Sequence, residues 1–572
     1  MAPRKYVLQP SEVLKVKVFE DVSINPRGYV LFSLTSFDPG ESPKVMVHDM
    51  ISVMRDAMGF SPKWYKGDVY LYLQGSDLMM KKMGYIDERE IAKNVVDFDV
   101  CRGNIAVLHQ ERKKPSRDFI TDKVGIMDEY NIGPLYKDSI PRKVLRTKKF
   151  QDEGWITGLS ISESGKVAYA KVLDISPIRQ ALFIDGDKVF EITGFIGEIK
   201  WAGDKIVIRN TNLEEKGFFG KKELLILEEN GDYVKIDIPG DPGDWVEVYP
   251  APGGSALAYH EGKLYFISTE SGKSVVRELD MSSLEHKVLI SGDRSVHGVD
   301  ASSYGLAFIW SSITRSSVLS IYRWKDSKEI EVASATRVPD VGVSVVNERH
   351  VVLGKSEKKV IMLHGGPRTC YGISFNFEAL MYALNGYEVH MVNYPGSAGF
   401  EECENVEGIV KDIAEYIRSV QGKKVLYGES FGAFLALMVS SLVNDLSGLI
   451  VERGIYEALS GHMASDEGFE FEKLTYKLSD PIDHPEDYIK YSPIFLIKGI
   501  KFPVLVIGAT DDWRCPFAQS VALYNMLKRY GKEAYLLVLS GTHNVKYSGE
   551  SREKVYRLSK IMEWVEKCFE SD

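Results

Sequence analysis

A candidate nucleophile lies in the second half of the chain, where three residues have the spacing of a catalytic turn. Gly428, Ser430 and Gly432 fit the pattern G-x-S-x-G. An apolar run typical of a strand, Lys424-Val-Leu-Tyr, comes directly before the pattern, and an apolar run typical of a helix starts at Ala433. In that setting the chain turns tightly between strand and helix, and the serine hydroxyl projects above the sheet. We therefore predict that Ser430 is a nucleophile rather than part of a structural turn.

A serine hydroxyl attacks efficiently only when a base takes its proton. In folds with this turn the base is a histidine that follows both the serine and an acid. The histidines after Ser430 are His462, His484 and His543. His543 comes just after the strand-like run Tyr535-Leu-Leu-Val-Leu, where a loop can carry its ring over the sheet edge. His484 lies in a polar turn, and His462 comes before any acid loop, so His543 is the predicted base.

The acid that orients His543 is expected after the strand-like run Pro503-Val-Leu-Val-Ile-Gly. Asp511 and Asp512 stand there side by side. One carboxylate would accept a hydrogen bond from the imidazole and fix its tautomer, and the other would cap a turn. The pattern of apolar residues does not choose between them.

A tetrahedral intermediate also needs backbone N–H groups that stabilise its oxyanion. The first is predicted at Phe431, directly after the nucleophile. The second is predicted in the loop His364-Gly-Gly-Pro367, which follows the strand-like run Val360-Ile-Met-Leu. Glycines in this loop let the backbone approach a substrate closely.

The elements that must position these residues differ between the two halves of the chain. From about residue 20 to 335, short aromatic and β-branched runs alternate with turns rich in Gly, Asp, Ser, Asn or Pro. Their spacing, mostly roughly 40 to 50 residues, is that of four-stranded propeller blades. We predict an all-β propeller of seven blades over residues 21–335, with a pair of two-sheet sandwiches as the alternative. The runs begin at Gly28, Asp68, Asn104, Lys166, Lys205, Ser255 and Leu306.

After about residue 345, short apolar runs alternate with amphipathic helices, which is typical of a doubly wound, mostly parallel sheet. The last helix is the clearest, because its apolar residues recur at spacings of three and four: Val555, Leu558, Met562, Val565 and Phe569. Together with the serine turn, this pattern predicts an α/β-hydrolase domain over residues 336–572. Residues 1–20 are expected to be an N-terminal segment that packs on this domain.

Composition excludes several other classes of protein. The chain has 572 residues and a formal net charge of −10, whereas nucleic-acid binding needs clustered Lys and Arg. The first twenty residues hold no apolar run of signal-peptide length, and no stretch approaches the roughly 18 apolar residues of a membrane span. The five cysteines are scattered without metal-ligand spacing, which fits a reducing compartment. We expect a cytoplasmic protein with no membrane partner, no metal and no cofactor.

Taken together, these features resemble the prolyl oligopeptidase family of serine peptidases. The resemblance covers residues 360–545 at the level of motifs and the propeller at the level of architecture only. In chain length and compact propeller the sequence is most similar to the archaeal acylaminoacyl peptidases. It departs from the family pattern at Pro395 and Ala433, where arginine and a second glycine are usual. The matching motifs are His364-Gly-Gly-Pro, Asn393-Tyr-Pro-Gly-Ser-Ala-Gly, Gly428-Glu-Ser-Phe-Gly, Tyr491-Ser-Pro-Ile and Asp512-Trp-Arg-Cys-Pro.

The resemblance implies roles for individual residues. The family pattern D-x-R-x-P puts the acid of the triad at Asp512. It also puts Arg514 beside the active site, in a substrate-facing or loop-fixing role. The oxyanion donors carry over to Gly366 and Phe431.

The resemblance also implies an activity, the hydrolysis of short peptides through an acyl-enzyme, with release of an N-acylated amino acid from the peptide N-terminus. The propeller would then exclude folded proteins, and self-association is frequent in the family, which makes a homo-oligomer an expectation. Alternatives of the same fold are a carboxylesterase and an aminopeptidase or oligopeptidase. An alternative of another class is a catalytically inactive propeller that binds partners. The presence of nucleophile, acid, base and oxyanion loop argues against that last alternative.

Overall fold

The computed structural model describes residues 7–110, 124–125, 135–136, 143–175, 178–214, 217–403, 405–467 and 470–570. In this part of the chain an all-β region precedes an α/β region. The strands of the all-β region are Lys17–Ile24 (β1), Val30–Ser36 (β2), Lys44–His48 (β3), Val53–Met58 (β4), Phe60–Lys66 (β5), Val69–Gln74 (β6), Asp77–Lys82 (β7), Glu88–Ala92 (β8), Val95–Cys101 (β9), Asn104–Gln110 (β10), Val124–Gly125 (β11), Leu135–Tyr136 (β12), Lys143–Arg146 (β13), Gln151–Gly154 (β14), Ile156–Ile161 (β15), Val167–Ile175 (β16), Ile178–Ile184 (β17), Asp187–Ala202 (β18), Lys205–Asn212 (β19), Glu223–Leu227 (β20), Tyr233–Lys235 (β21), Asp241–Pro242 (β22), Leu257–His260 (β23), Lys263–Glu270 (β24), Lys273–Asp280 (β25), His286–Ile290 (β26), Ser295–Ala301 (β27), Gly305–Ser312 (β28), Arg315–Arg323 (β29) and Lys328–Ser334 (β30).

The strands of the all-β region pair mainly into consecutive antiparallel sheets, the arrangement of a propeller. Five of these sheets are self-contained and have four or five strands each: β1 to β4, β5 to β8, β9 with β10, β13 and β14, β22 to β26, and β27 to β30. Strands β15 to β21 form one continuous sheet of seven strands. Apolar clusters lie between neighbouring sheets; for example, Phe32 of β2 packs with Ile309 of β28.

The propeller is confirmed, but the seven predicted blades are not found as seven separate sheets: among the described residues five sheets are self-contained, and β15 to β21 form one continuous sheet. Each predicted run does fall on a strand, namely β2, β6, β10, β16, β19, β23 and β28. Strands β16 and β19 nevertheless belong to one sheet. The strand between them, β18, is 16 residues long and pairs with β17 through its first half and with β19 through its second. The spacing of the runs indicates where strands occur along the chain. The sheet to which a strand belongs depends on the strands it pairs with, and the spacing does not show that.

Side-chain hydrogen bonds join the first sheet of the propeller to the last. The N–H of Phe19 on β1 donates to Ser317 Oγ on β29 at 2.7 Å. The hydroxyl of Ser316 donates to Lys17 O at 2.6 Å. Strand β1 begins at Lys17, so the propeller starts inside the segment 1–20 that the sequence analysis placed ahead of it.

Ahead of β1, a short 3-10 helix, Pro10–Lys15, lies against the α/β region. Leu8, Val13 and Val16 share an apolar cluster with Phe569 near the C-terminus. The N-terminal segment thus contributes to the core of the C-terminal half before the chain enters the propeller.

The α/β region contains an eight-stranded sheet in the order β31-β32-β34-β33-β35-β36-β37-β38. The pairings from β34 onward through β38 are parallel, and the two at the β31 edge are antiparallel. The strands are Val343–Val346 (β31), His350–Leu353 (β32), Lys358–Leu363 (β33), Glu388–Val392 (β34), Lys423–Glu429 (β35), Gly448–Glu452 (β36), Val504–Ala509 (β37) and Ala534–Leu539 (β38). The α-helices are Phe377–Leu384 (α1), Val406–Ser419 (α2), Phe431–Ser440 (α3), Ala458–Ala464 (α4), Pro485–Lys490 (α5), Phe517–Arg529 (α6), Val545–Ser548 (α7) and Ser551–Glu570 (α8), and shorter helical turns span Gly217–Phe219, Glu472–Tyr476 and Pro493–Gly499.

Helices cover both faces of this sheet, so the predicted doubly wound domain is confirmed. One face packs against α2, α3 and α6 through residues such as Ile413, Leu435 and Leu523. The other face packs against α1 and α8 through residues such as Leu380 and Val565. A sheet that is buried on both faces explains why its strands are almost uniformly apolar in sequence. Among the described residues, no helix is both long and apolar enough to span a membrane.

Candidate active site

The three predicted catalytic side chains meet at the C-terminal edge of the parallel strands. Ser430 follows β35, Asp512 follows β37 and His543 follows β38. His543 Nε2 lies 2.9 Å from Ser430 Oγ, and His543 Nδ1 lies 2.8 Å from Asp512 Oδ2. Both are hydrogen-bond distances, so the imidazole links the hydroxyl to the carboxylate.

Ser430 lies in a strained turn that depends on the two flanking glycines. Its φ of 56° and ψ of −121° are outside the regions that L-residues usually adopt. A Cβ at Gly428 would lie 2.1 Å from Gly432 O, and a Cβ at Gly432 would lie 2.4 Å from Leu363 O. Any larger residue at either position would force the strand and the helix apart, which would move the hydroxyl away from the histidine.

Of the two adjacent acids, Asp512 is the one that reaches the imidazole. Its side chain is buried, and its Oδ1 accepts a hydrogen bond from the N–H of Cys515 at 2.8 Å. This bond fixes the carboxylate so that Oδ2 faces His543. Asp511 is exposed, and its carboxylate accepts from the Thr510 hydroxyl at 3.1 Å.

The two predicted oxyanion donors lie on the wall of the cavity that contains Ser430. Phe431 is the first residue of helix α3, whose first N–H groups have no partner within the helix. Gly366 has a φ of 117°, a conformation that favours glycine. A Cβ at the preceding Gly365 would lie 3.3 Å from Ser430 Cβ, so the backbone of this loop passes directly beside the nucleophile.

An ion pair with the propeller anchors the oxyanion loop. Arg368 donates from Nε and Nη2 to the two carboxylate oxygens of Asp241 at 2.8 and 2.9 Å. Both side chains are almost fully buried. Since loss of either partner would leave a buried charge uncompensated, this link holds the loop firmly against the propeller.

The triad opens into a cavity of about 250 Å³ between the two regions. The propeller contributes Phe218, Trp245 and Glu247 to its wall. The remaining walls come from the α/β region, and one side is mainly aromatic. In the described part of the chain no group of three or more His, Cys, Asp or Glu side chains could hold a metal ion. The aromatic residues of the α/β region that line the cavity are Phe431, Phe434, Phe471, Tyr476, Tyr491 and Tyr547.

Arg514 lines the cavity, but carboxylates already occupy its guanidinium group. Its Nε donates to Asp466 Oδ1 at 2.7 Å, and its Nη1 lies 3.1 Å from Glu467 Oε1. Ser465 Oγ also donates to the carbonyl of Arg514. These contacts tie the acid loop to the segment after α4, which corresponds to the loop-fixing role that the resemblance offered for Arg514.

The other two histidines lie in different surroundings from His543. His484 is exposed, and its Nδ1 lies 3.6 Å from the Glu486 carboxylate. His462 is buried on α4 and lines the same cavity as Ser430. Neither ring has a hydrogen bond to Ser430 in the structure, so the choice of His543 as the triad histidine agrees with this geometry.

A family model describes the C-terminal region. Residues 373–572 match the model of the prolyl oligopeptidase family. This region is a prolyl oligopeptidase family domain. It contains the nucleophile turn, the acid loop and the histidine loop, whereas the oxyanion loop lies just ahead of the matched residues.

Curated relatives are similar over about a third of the chain. An uncharacterized peptidase of Bacillus subtilis (strain 168) is 27% identical over 221 residues, which are 36% of this chain and 34% of the relative. The acylamino-acid-releasing enzyme of Rattus norvegicus is 25% identical over 202 residues, which are 31% of this chain and 27% of the relative. The alignments thus span about a third or less of the length of these relatives.

Among solved structures, the uncomplexed acylaminoacyl peptidase of Pyrococcus horikoshii is similar over 98% of this chain and 97% of its own, with a TM-score of 0.81 and 20% identity. A puromycin hydrolase is similar over 100% of this chain and 97% of its own, with a TM-score of 0.69 and 13% identity. At these identities the likeness shows the shared fold, a propeller joined to an α/β-hydrolase domain.

The prolyl oligopeptidase family domain also contains a buried ionic network that the sequence analysis did not identify. Lys546 Nζ lies 3.0 Å from Glu429 Oε2, and Arg453 bonds to both Glu429 and Glu452. Arg557 continues the network with a 2.7 Å contact to Glu452. Two positions in the sequence could have pointed to this network, because Glu429 directly precedes the nucleophile and Lys546 comes three residues after His543.

Glu247 is a second residue that the sequence analysis missed. It comes from the propeller and lines the cavity, where Tyr547 of the family domain donates a hydrogen bond to its Oε2 at 2.8 Å. Burial raises the pKa of Glu247, and the nearby Lys546 opposes this shift only in part. No sequence motif marks Glu247, because its place beside the triad arises from the way the two regions pack.

Proposed function

We propose that this chain is a serine peptidase that cleaves short peptides through an acyl-enzyme and releases N-acylated amino acids from their N-termini. The hydrogen-bonded arrangement of Ser430, His543 and Asp512 beside the oxyanion loop is the observation that carries the proposal. The prolyl oligopeptidase family domain and the relatives that release acylamino acids support it.

In the proposed reaction, Ser430 Oγ attacks the carbonyl carbon while His543 Nε2 takes its proton. The N–H groups of Phe431 and Gly366 would stabilise the oxyanion that forms. His543 then gives the proton to the leaving amine as the C–N bond breaks, which leaves an acyl-enzyme. Water attacks the ester with the same base, and Ser430 regains its proton when the acid product departs.

The propeller provides the basis for selection by size. Phe218, Trp245 and Glu247 lie on the cavity wall, so the propeller covers the triad from the side opposite the sheet. The buried pair between Asp241 and Arg368 joins the two regions close to the oxyanion loop. Under the proposal, short peptides reach Ser430 and folded proteins are excluded.

An aminopeptidase is the second candidate, and Glu247 is the observation that favours it. A carboxyl group on the cavity wall is a suitable partner for a free α-ammonium group. Acylated and free substrates therefore give opposite predictions. An N-acetylated substrate brings no charge to Glu247, whereas a free amine would form an ion pair with it.

The test compares three substrates with the same amino acid, an N-acetylated p-nitroanilide, its free-amine form and the matching p-nitrophenyl ester. Ser430→Ala is expected to lower kcat on the acetylated anilide by about 10⁴-fold or more, because the nucleophile is lost. A higher kcat/KM for the acetylated anilide supports the proposal, and a higher value for the free amine supports the aminopeptidase. Ester cleavage without Ser430-dependent anilide cleavage would identify an esterase instead.

A further inference from the structure

One peptide unit of the oxyanion loop, the unit that joins Gly365 to Gly366, contains the N–H of Gly366. This N–H is one of the two proposed oxyanion donors, and the carbonyl of Gly365 belongs to the same rigid plane. The bond is trans, and in a trans peptide the N–H and the C=O point in opposite directions. A side chain that holds the Gly365 carbonyl therefore also sets the direction of the Gly366 N–H.

Tyr394 reaches this carbonyl from outside the loop. It comes two residues after β34 and is fully buried. Its hydroxyl lies 3.0 Å from Gly365 O, and at 3.2 and 3.3 Å from His364 O and Pro367 O. A carbonyl oxygen only accepts hydrogen bonds, so the hydroxyl of Tyr394 is the donor. The nearest of these three carbonyls is the one that shares its plane with the proposed oxyanion donor.

The imidazole of His364 supports the same carbonyl. Its Nδ1 lies 2.8 Å from Gly365 O, and its ring stacks on Tyr394 with centroids 4.3 Å apart. Burial lowers the pKa of His364 to about 4, so near pH 7 the ring is neutral and its one proton lies on Nδ1, facing the carbonyl. His364 Nε2 then accepts from Ser397 Oγ at 2.8 Å. The hydroxyl of Thr369 adds a longer contact to Gly365 O at 3.2 Å.

The two rings lie in the core, whereas the loop faces the nucleophile. His364 and Tyr394 are buried, and Gly366 lines the cavity together with Ser430. Because the Gly365 carbonyl turns toward these buried donors, the N–H of the next residue points the other way, toward the cavity. The ring of Tyr394 also packs against Phe431, the residue of the other proposed oxyanion donor, with centroids 6.1 Å apart.

We propose that Tyr394 is a positioning residue whose hydroxyl holds the Gly365 carbonyl, so that the Gly366 N–H faces the oxyanion. The inference rests on the proposed function only for the role of Ser430 as the nucleophile. Tyr394 acts through the peptide unit and does not bind the substrate. Its effect is therefore larger in the transition state, where the oxygen carries charge, than in the bound substrate. Loss of the hydroxyl should lower kcat and leave KM nearly unchanged.

The first experiment uses Tyr394→Phe, which keeps the stacked ring and removes only the hydroxyl. On the N-acetylated p-nitroanilide we expect kcat to fall about 10- to 50-fold and KM to change by less than about twofold. The loss is smaller than for a missing oxyanion donor, because His364 still holds the carbonyl. Rates are expressed per Ser430 that a fluorophosphonate labels at completion, so misfolded protein does not count. An unchanged kcat, or a loss confined to KM, would overturn the proposal.

The matched control is Tyr416→Phe on helix α2. Tyr416 is also a buried tyrosine of the family domain, and its hydroxyl lies 2.8 Å from His390 Nδ1. This variant loses a buried hydroxyl contact as well, so general loosening of the domain would lower kcat in both variants. We expect the kcat of Tyr416→Phe to stay within about twofold of that of the unaltered protein. Equal losses in the two variants would refute a specific role for Tyr394.

A second experiment needs no peptide substrate, so failure of the proposed function can be told apart from failure of this inference. In the reaction with a fluorophosphonate, Ser430 Oγ bonds to phosphorus, fluoride leaves and His543 takes the serine proton. The phosphoryl oxygen gains charge at the oxyanion site, so Tyr394→Phe should slow labelling about 10-fold or more, and Tyr416→Phe should not.

Slower labelling of Tyr394→Phe supports the inference even if no anilide is cleaved, in which case the proposed peptidase activity alone fails. Equal labelling rates for Tyr394→Phe and the unaltered protein contradict the inference, and so does equal slowing in Tyr416→Phe. No labelling of the unaltered protein would remove Ser430 as the nucleophile and the inference with it.

Discussion

Glu452 and Glu472 are both fully buried carboxyl groups close to the proposed active site, but their surroundings are opposite. Burial raises the pKa of Glu452, and the nearby Arg557 and Arg453 more than offset this, so that its pKa is held below its usual range. Among the described residues, the group within salt-bridge distance of Glu472 is His462, and burial raises the pKa of Glu472 well above its usual range. Nearby cations hold the pKa of a buried acid down, and burial without them raises it.

Glu452 and Glu472 also lie in different places in the domain. The network around Glu452 joins β36, the nucleophile turn and α8, and fixed charges suit a rigid support. His462 lines the cavity beside Ser430, and an acid whose pKa is raised by burial costs less to leave among apolar side chains than a charged one. The same acidic residue type therefore stands in opposite electrostatic surroundings in the two places.

The largest expected effect comes from breaking the ion-pair network around Glu452. Arg557 contacts Glu378 at 3.0 Å and Glu452 at 2.7 Å, and all three side chains are buried. Arg557→Met would leave both carboxylates with less compensation, so we expect the free energy of unfolding to fall by about 3–5 kcal/mol. Denaturant unfolding measures this change.

The matched control is Arg552→Met, which removes an exposed arginine of the same helix. Its expected effect on the free energy of unfolding is within about 0.5 kcal/mol. Equal losses in the two variants would mean that the network does not stabilise the fold.

A smaller effect is expected from protonation of His462 at acidic pH. The pKa of His462 is about 4 in the folded protein and about 6.5 when unfolded, so between these values only the unfolded chain takes up the proton. Stability linked to His462 is present above pH 6.5 and is lost as the pH falls toward 4. His462→Phe should remove up to about 3 kcal/mol of this acid sensitivity.

The measurement is denaturant unfolding of both proteins at pH 7 and at pH 4.5. Glu472 contributes with the opposite sign, since its raised pKa makes stability fall as the pH rises above 4.5. Glu472 is present in both proteins, so the difference between them reports on His462 together with its contact to Glu472. An unchanged loss on acidification in His462→Phe would show that the ring is not buried in its neutral form.

The smallest expected effect is that of Glu472→Gln. Burial raises the pKa of Glu472 well above its usual range and so favours its uncharged form, and an amide of the same shape should change the free energy of unfolding by less than about 1 kcal/mol. The same substitution at Glu452 removes a charge on which Arg557 and Arg453 depend, and should cost more than about 2 kcal/mol. Unfolding of both variants at pH 7 gives the comparison. If Glu472→Gln proved the more damaging change, the assignment of charged and neutral regions would be reversed.

Part of the candidate site could be predicted from the sequence. Ser430, His543 and the oxyanion loop lie in short motifs whose local turn chemistry sets their positions, and the structure brings them together as predicted. The choice between Asp511 and Asp512 needed a family pattern, because adjacent residues share the same periodicity. The blade count was wrong because β18 continues through two groups of strands, and pairing of that kind depends on neighbours far along the chain.

By itself, the sequence determined the two regions, their order, and the nucleophile and histidine of the triad, since hydrophobic period and tight turns are local properties. Only the tertiary structure decided which charges are compensated. Arg514 meets Asp466 and Glu467, His462 meets Glu472, and Glu247 reaches the cavity from the propeller. The physical reason is that burial and pairing, which set the charge of an acid or a histidine, arise when distant segments pack and leave no pattern in the chain.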